Sequence, residues 1–181
     1  KGLQFDRTRV LLEALRLRKS GDFDNVYLIV SYQLAVNCAK QLEAVRWDTC
    51  ILDESHNIKS PSTKRTKAML RLRESSKRRY VLTGTPIGNS FLDLYTQLEF
   101  LEEGLSGFNS FGAFKNFYGQ WAPRGEGLSV LVGMQNVPLL QERIAMCSFL
   151  IKKTEAMPDL PAKTGSIIGI ALFLFNLLNN I

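Results

Sequence analysis

Apolar side chains along this chain fall into two rhythms, and the alternation between them lays out the elements. From Arg7 to Lys19, Val10, Leu11, Ala14 and Leu15 recur at helical spacing, which predicts an amphipathic helix with Ser20-Gly21 as its stop. Val26-Tyr27-Leu28-Ile29-Val30 is instead short and unbroken, the mark of a buried strand. Helical spacing resumes with Leu34, Cys38 and Leu42, predicting a helix from Gln33 to Ala44, and Thr49-Cys50-Ile51-Leu52 is a second apolar run. Strand, helix and strand in so short a stretch predict a βαβ unit with parallel strands. Further on, Ala68, Met69 and Leu72 predict a helix over 62–73, and Tyr80-Val81-Leu82 predicts another strand. Phe91, Leu94, Tyr95, Leu98 and Leu101 then make an amphipathic helix that Ser90 and Asp93 open in the manner of a capping box. The expected fold class is α/β, a parallel sheet flanked by helices.

The strand at 49–52 runs straight into Asp53-Glu54-Ser55-His56, two adjacent acids and the chain's single histidine. Open parallel sheets gather ligands beyond the carboxyl ends of their strands, so these side chains fall where chemistry is expected. Neighbouring residues leaving a strand point in different directions, which suits Asp53 and Glu54 to two tasks rather than one. One carboxylate can hold a hydrated magnesium ion while the other orients or deprotonates a water attacking a phosphate. The competing reading is an acidic turn behind a core strand, since such pairs are common on surfaces. The strand at 80–82 likewise stops at a polar loop, Thr83-Gly84-Thr85-Pro86-Ile87-Gly88-Asn89, which offers hydroxyls and a glycine near the same sheet edge.

Composition narrows the class without deciding it. With 181 residues, 45% hydrophobic and 22% charged, the chain is an ordinary globular one, long enough for a real core. A formal charge of +6 favours an anionic partner. Half of the residues from Lys64 to Arg79 are Lys or Arg, either a phosphate-facing patch or a solvated helix face. Cys38, Cys50 and Cys147 have neither metal-ligand spacing nor an even count, which points to a reducing, intracellular setting. The opening Lys1-Gly2-Leu3-Gln4 lacks an initiating methionine, so a piece of a longer protein is expected.

Taken together, Trp47-Asp48, the box Asp53-Glu54-Ser55-His56 with Ile58-Lys59 behind it, the basic helix, and Thr83-Gly84-Thr85-Pro86-Ile87 with Asn89 resemble the first motor lobe of superfamily-two helicases. More narrowly they resemble the Swi/Snf-type helicase-like ATPases, which are DNA translocases. Phe111, Phe114 and Phe117 resemble the protrusion that family inserts after its lobe; packing is the competing use of that stripe. Phe149-Leu150-Ile151-Lys152-Lys153-Thr154 and Asp159-Leu160-Pro161-Ala162-Lys163-Thr164 resemble its basic linker. The likeness covers about residues 22 to 164. It implies a partial RecA-like parallel sheet over 1–101 without the phosphate loop, a helical protrusion and basic linker over 102–164, and an apolar tail over 165–181.

The resemblance also implies roles. Asp53 binds magnesium through water, and Glu54 polarises the attacking water. His56 links the nucleotide site to Thr83, Gly84 and Thr85, the loop that couples hydrolysis to movement. Ser31, Tyr32, Asn89, Lys152 and Lys153 face duplex DNA; the competing readings are plain strand-end positions for Ser31 and Tyr32 and a solvated pair at a helix end for Lys152-Lys153. The cofactors are ATP and magnesium, and a second motor lobe of the parent chain completes the site.

The departures are as informative as the matches. The loop Gly-x-x-x-x-Gly-Lys-Ser/Thr, whose amides and lysine hold phosphates, does not occur in these residues. Gly88 stands where that family has glutamine, and Lys152-Lys153 replace arginines, which loses bidentate phosphate geometry. The expectation is a working ATPase in the parent and no useful turnover from this piece alone. The alternative is a non-catalytic nucleic-acid or protein binding module descended from such a lobe. A metal-dependent nuclease using Asp53 and Glu54 is weaker, for want of further carboxylates near strand ends. The run from Ile167 to Phe175 is almost wholly apolar, yet short of the about 20 residues a membrane span needs, and no membrane partner is expected.

Overall fold

The computed structural model describes residues 7–21, 25–85, 87, 90–125 and 127–149. Its contacts divide the chain into a unit Lys1–Arg143 and a second, Ile144–Ile181, and the account below concerns the first. In order, the elements are α1 (Arg7–Ser20), α2 (Tyr32–Asn37), α3 (Ala39–Glu43), β1 (Trp47–Leu52), a 3-10 turn (Ser55–Ile58), α4 (Lys64–Glu74), β2 (Ser76–Val81) and α5 (Asp93–Leu101). There follow α6 (Phe111–Tyr118), β3 (Gly119–Pro123), β4 (Ser129–Met134) and α7 (Val137–Cys147). Among the described residues no helix is long and apolar enough to cross a membrane.

The α/β reading holds, and its central feature is a parallel pair. β1 and β2 run in register from Trp47 opposite Ser76 to Leu52 opposite Val81, with α4 as the crossover. Leu52 on β1, Ile58 on the 3-10 turn, and Ala68, Met69 and Leu72 on α4 form one core with Ala35, Cys38, Leu42 and Phe100. α4 begins at Lys64, two residues later than the apolar spacing suggests, because the Thr63 hydroxyl accepts the amide of Thr66 as an N-cap.

Four expectations need correction. Val26–Val30 has no regular secondary structure and belongs to neither sheet: Leu28 and Val30 pack on the core, while Tyr27 and Ile29 are 87% and 96% exposed. Only alternate side chains find apolar neighbours there, so an unbroken apolar run does not make a buried strand, and the parallel unit is β1–α4–β2 instead. The helix expected over 33–44 is two helices, broken at Cys38 (φ −109°, ψ 22°), whose side chain is buried in the core. The strands start earlier than their apolar runs, since pairing recruits Trp47 and the basic stretch from Ser76; Arg79 donates inward to the carbonyls of Leu101 and Ser76. Nor are they buried on both faces. Ile51 and Tyr80, paired across the ladder, are 56% and 51% exposed.

After α5 the chain builds a satellite of rings. Phe91, Phe114 and Tyr118 are buried, and Phe108, Phe111, Phe117 and Tyr95 pack around them at tilted and edge-on angles. α6 and α7 give the segment its expected helices, but between them lies an antiparallel hairpin, β3–β4, that periodicity did not anticipate. Gly119 joins α6 to β3, where a Cβ would sit 2.5 Å from the Trp121 indole nitrogen, which donates to the Lys115 carbonyl.

Candidate functional site

Because β1 and β2 are parallel and paired to their ends, the loops that follow them leave from one rim. The ladder continues past the strands: the Leu82 amide donates to the Leu52 carbonyl at 2.8 Å, and the Ser55 amide donates to the Leu82 carbonyl at 3.0 Å. This places 53–56 beside 83–85. The His56 Nδ1 atom lies 3.2 Å from a Glu54 carboxylate oxygen and 3.5 Å from the Thr83 hydroxyl. One atom thus faces two partners, a carboxylate that accepts and a hydroxyl that can donate or accept. Carrying a proton, Nδ1 donates to Glu54; without one, it accepts from Thr83.

Each side chain is placed by local backbone chemistry. An Asp53 carboxylate oxygen accepts the Glu54 amide at 2.9 Å, closing a tight turn at the strand end. Glu54 then takes a left-handed conformation, φ 48° and ψ 52°, from which the 3-10 turn begins. The Thr85 amide donates to the Thr83 hydroxyl, folding the second loop on itself. Asp53, Glu54, Gly84 and Thr85 are exposed, and a Cβ built on Gly84 meets nothing within 4 Å. A ligand can therefore approach the backbone there.

Beneath the rim the turn is fastened by buried polar contacts. The Ser55 hydroxyl donates to Gln97 Oε1 at 2.6 Å, and the hydroxyls of Thr66 and Thr96 both donate to the Ile58 carbonyl. Sequence reasoning missed Gln97 and Thr96, which lie about forty positions downstream and carry no local signal. It also missed Asn57, next to the box, whose side-chain amide donates to the Glu54 carbonyl.

A magnesium ion is the metal such a site implies. Among the described residues no three His, Cys, Asp or Glu side chains gather as a cage. Magnesium keeps several waters and takes one or two carboxylates plus substrate phosphates. The exposed Asp53 carboxylate supplies a hard oxygen of the right kind.

The residues expected to face DNA fare differently. Ser31 caps α2, its hydroxyl accepting the Leu34 amide. The Tyr32 hydroxyl donates to the Asp53 carbonyl at 2.8 Å, and the Arg65 guanidinium sits 5.6 Å over its ring. Burial, reinforced by the charge of Asp53, pushes the Tyr32 pKa up to about 12, so the phenol stays a donor. Asn89, Lys152 and Lys153 lie outside the described residues, as do Pro86 and Gly88. In the basic run, Arg65, Arg71, Arg73 and Arg79 bond within the protein: Arg71 to Glu43, Arg73 to Glu74 and Glu103. Lys64, Lys67, Lys77 and Arg78 are exposed. Arg65, Arg73 and Arg79 are thus part-buried fastenings, while Arg71, though paired, is exposed like the other four.

Residues 14–173 match the family model described as the SNF2-related domain. Human helicase-like transcription factor is 41% identical over 97 residues, 54% of this chain and 9% of that protein. Helicase SWR1 of Saccharomyces cerevisiae is 37% identical over 99 residues, 51% of this chain and 6% of that one. Among solved structures, the Sulfolobus solfataricus SWI2/SNF2 ATPase core in complex with dsDNA matches 48% of this chain and 18% of its own, at 40% identity and a TM-score of 0.43. The matched segment thus spans less than a tenth of these two curated relatives.

Proposed function

The chain belongs to the SNF2-related domain family, and from that premise we propose that it forms part of the first motor lobe of an ATP-dependent translocase on duplex DNA. The observation that supports this reading most is the meeting of the two loops: His56 stands between the Glu54 carboxylate and the Thr83 hydroxyl on one rim of a parallel pair. In the proposed reaction Glu54 orients the water that attacks the terminal phosphate and draws off its proton. Asp53 holds the magnesium ion, which when bound neutralises charge on the phosphates. His56 reports the state of Glu54 to the loop 83–85, because its Nδ1 can serve only one of the two at a time. Residues 1–101 form the lobe, 102–164 the protrusion and linker, and the phosphate loop and second lobe come from the parent chain. The piece alone is then inactive. Duplex DNA is met by Ser31, Asn89, Lys152 and Lys153, joined by the exposed Lys64, Lys67, Lys77 and Arg78, which grip phosphate rather than bases.

The test is made in the full-length parent. Glu54→Gln is expected to lower DNA-stimulated ATP turnover by about 100-fold or more while nucleotide binding survives. Normal turnover in that variant would overturn the role given to Glu54. The same exposed cations favour one second reading, a binding module without catalysis. That reading predicts duplex binding by a parent whose wild-type form shows no ATP turnover at all.

A further inference from the structure

Glu54 and Asn136 are the non-glycine residues with positive φ among the described ones. For a residue with a Cβ the left-handed conformation costs roughly 1–2 kcal/mol, so the surroundings must hold it. The two angles φ and ψ relate the peptide plane before a residue to the plane after it. If both planes are held, the residue between them has no freedom left.

Both planes around Glu54 are held. The carbonyl of Asp53, in the plane before, accepts the Tyr32 hydroxyl at 2.8 Å. The carbonyl of Glu54, in the plane after, accepts the side-chain amide of Asn57 at 2.9 Å and its backbone amide at 3.0 Å. Arg65 ties the two holds together: its guanidinium lies over the Tyr32 ring and donates to Asn57 Oδ1 at 3.0 Å. Tyr32 comes from α2, Arg65 from α4 and Asn57 from the 3-10 turn, so three elements converge on one strained residue.

We infer that Tyr32, Arg65 and Asn57 are positioning residues that lock the backbone of Glu54 in its left-handed form and thereby aim its carboxylate, an inference that rests on the water-orienting role proposed for Glu54. Turning either plane swings the Cα–Cβ bond, and with it a carboxylate that now lies 3.2 Å from His56 Nδ1. Tyr32 thus works inside the protein, through Glu54, rather than as the DNA contact expected of it.

Tyr32→Phe removes the hydroxyl and leaves the ring under Arg65. In the full-length parent, backbone hydrogen exchange over 53–58 is expected to quicken roughly 5- to 10-fold, the loss of one net hydrogen bond, while exchange over 93–101 stays put. In the same variant kcat for ATP is expected to fall about 10-fold, with the KM for ATP and the half-saturating DNA concentration unchanged. Arg65→Lys keeps the charge but loses the flat, directed guanidinium, and should act in the same direction. Unchanged exchange over 53–58 overturns the lock, whatever the turnover. Faster exchange with normal kcat overturns the link to aiming. A raised half-saturating DNA concentration with kcat intact at saturating DNA would instead make Tyr32 a DNA contact. Glu54→Gln, run alongside, separates the two ideas: if it turns over normally the role of Glu54 fails, and the exchange result still judges the lock.

Discussion

The loop at 53–58 and the ring cluster around Phe114 lie on either side of α5 in sequence, and they are held by different forces. Around the loop Ile58 anchors in the core, but the backbone from Asp53 to Ile58 is held by directed bonds: a phenol on one carbonyl, an amide on the next, two hydroxyls on a third. Around Phe114 the contacts are ring against ring, with centroids 4.9 to 6.3 Å apart. A region held by packing fails when volume is removed. One held by directed bonds fails in function when a single donor is lost, with little change in overall stability.

Three changes sharpen or break that contrast. The largest effect is expected from Phe114→Ala, since Phe114 is fully buried: a loss of about 3–5 kcal/mol in denaturant unfolding. A loss below about 1 kcal/mol would show that the cluster collapses freely and is not a true core. Next comes Glu54→Gly, which removes the left-handed penalty at the cost of backbone entropy. It should leave stability unchanged or raise it by up to about 1 kcal/mol while abolishing turnover. Clear destabilisation would mean that the side chain, and not the backbone lock, holds the loop together. The third test is a pH dependence. The Tyr32 phenol, ordinarily titrating at 10.0, is raised to about 12 in the fold, which favours its neutral form there. Its contribution to stability is therefore complete below about pH 10 and lost as pH climbs toward 12. Tyr32→Phe should flatten that part of the stability profile, and an identical decline in both proteins would sever the link to Tyr32.

Much of this was legible in the order of residues, though unevenly. The placing of Asp53 and Glu54 past one strand and of Thr83 to Thr85 past another follows from where two apolar runs stop, and the parallel ladder does bring them to one rim. The same rule misled at Val26–Val30, because an apolar run reports what a segment can bury and says nothing of what is beside it. The hairpin β3–β4 was readable in principle. Gly125 and Gly127 both have positive φ and bracket its turn, and β-branched Val130 and Val132 follow. The basic run is the opposite case: eight similar charges divide into fastenings and exposed cations only once Glu43, Glu74, Glu103 and the Leu101 carbonyl are seen beside them.

Order along the chain determined the α/β class, the chemistry offered at each strand end and the kinship with helicase-like ATPases, because hydrophobic period and short motifs are local properties. Tertiary structure alone decided that Glu54 is left-handed, that Tyr32 and Asn57 hold the peptides on either side of it, and that Gln97 reaches back to Ser55. A hydrogen bond between residues twenty or forty positions apart depends on the path of the chain through space, and no periodicity within either segment encodes it.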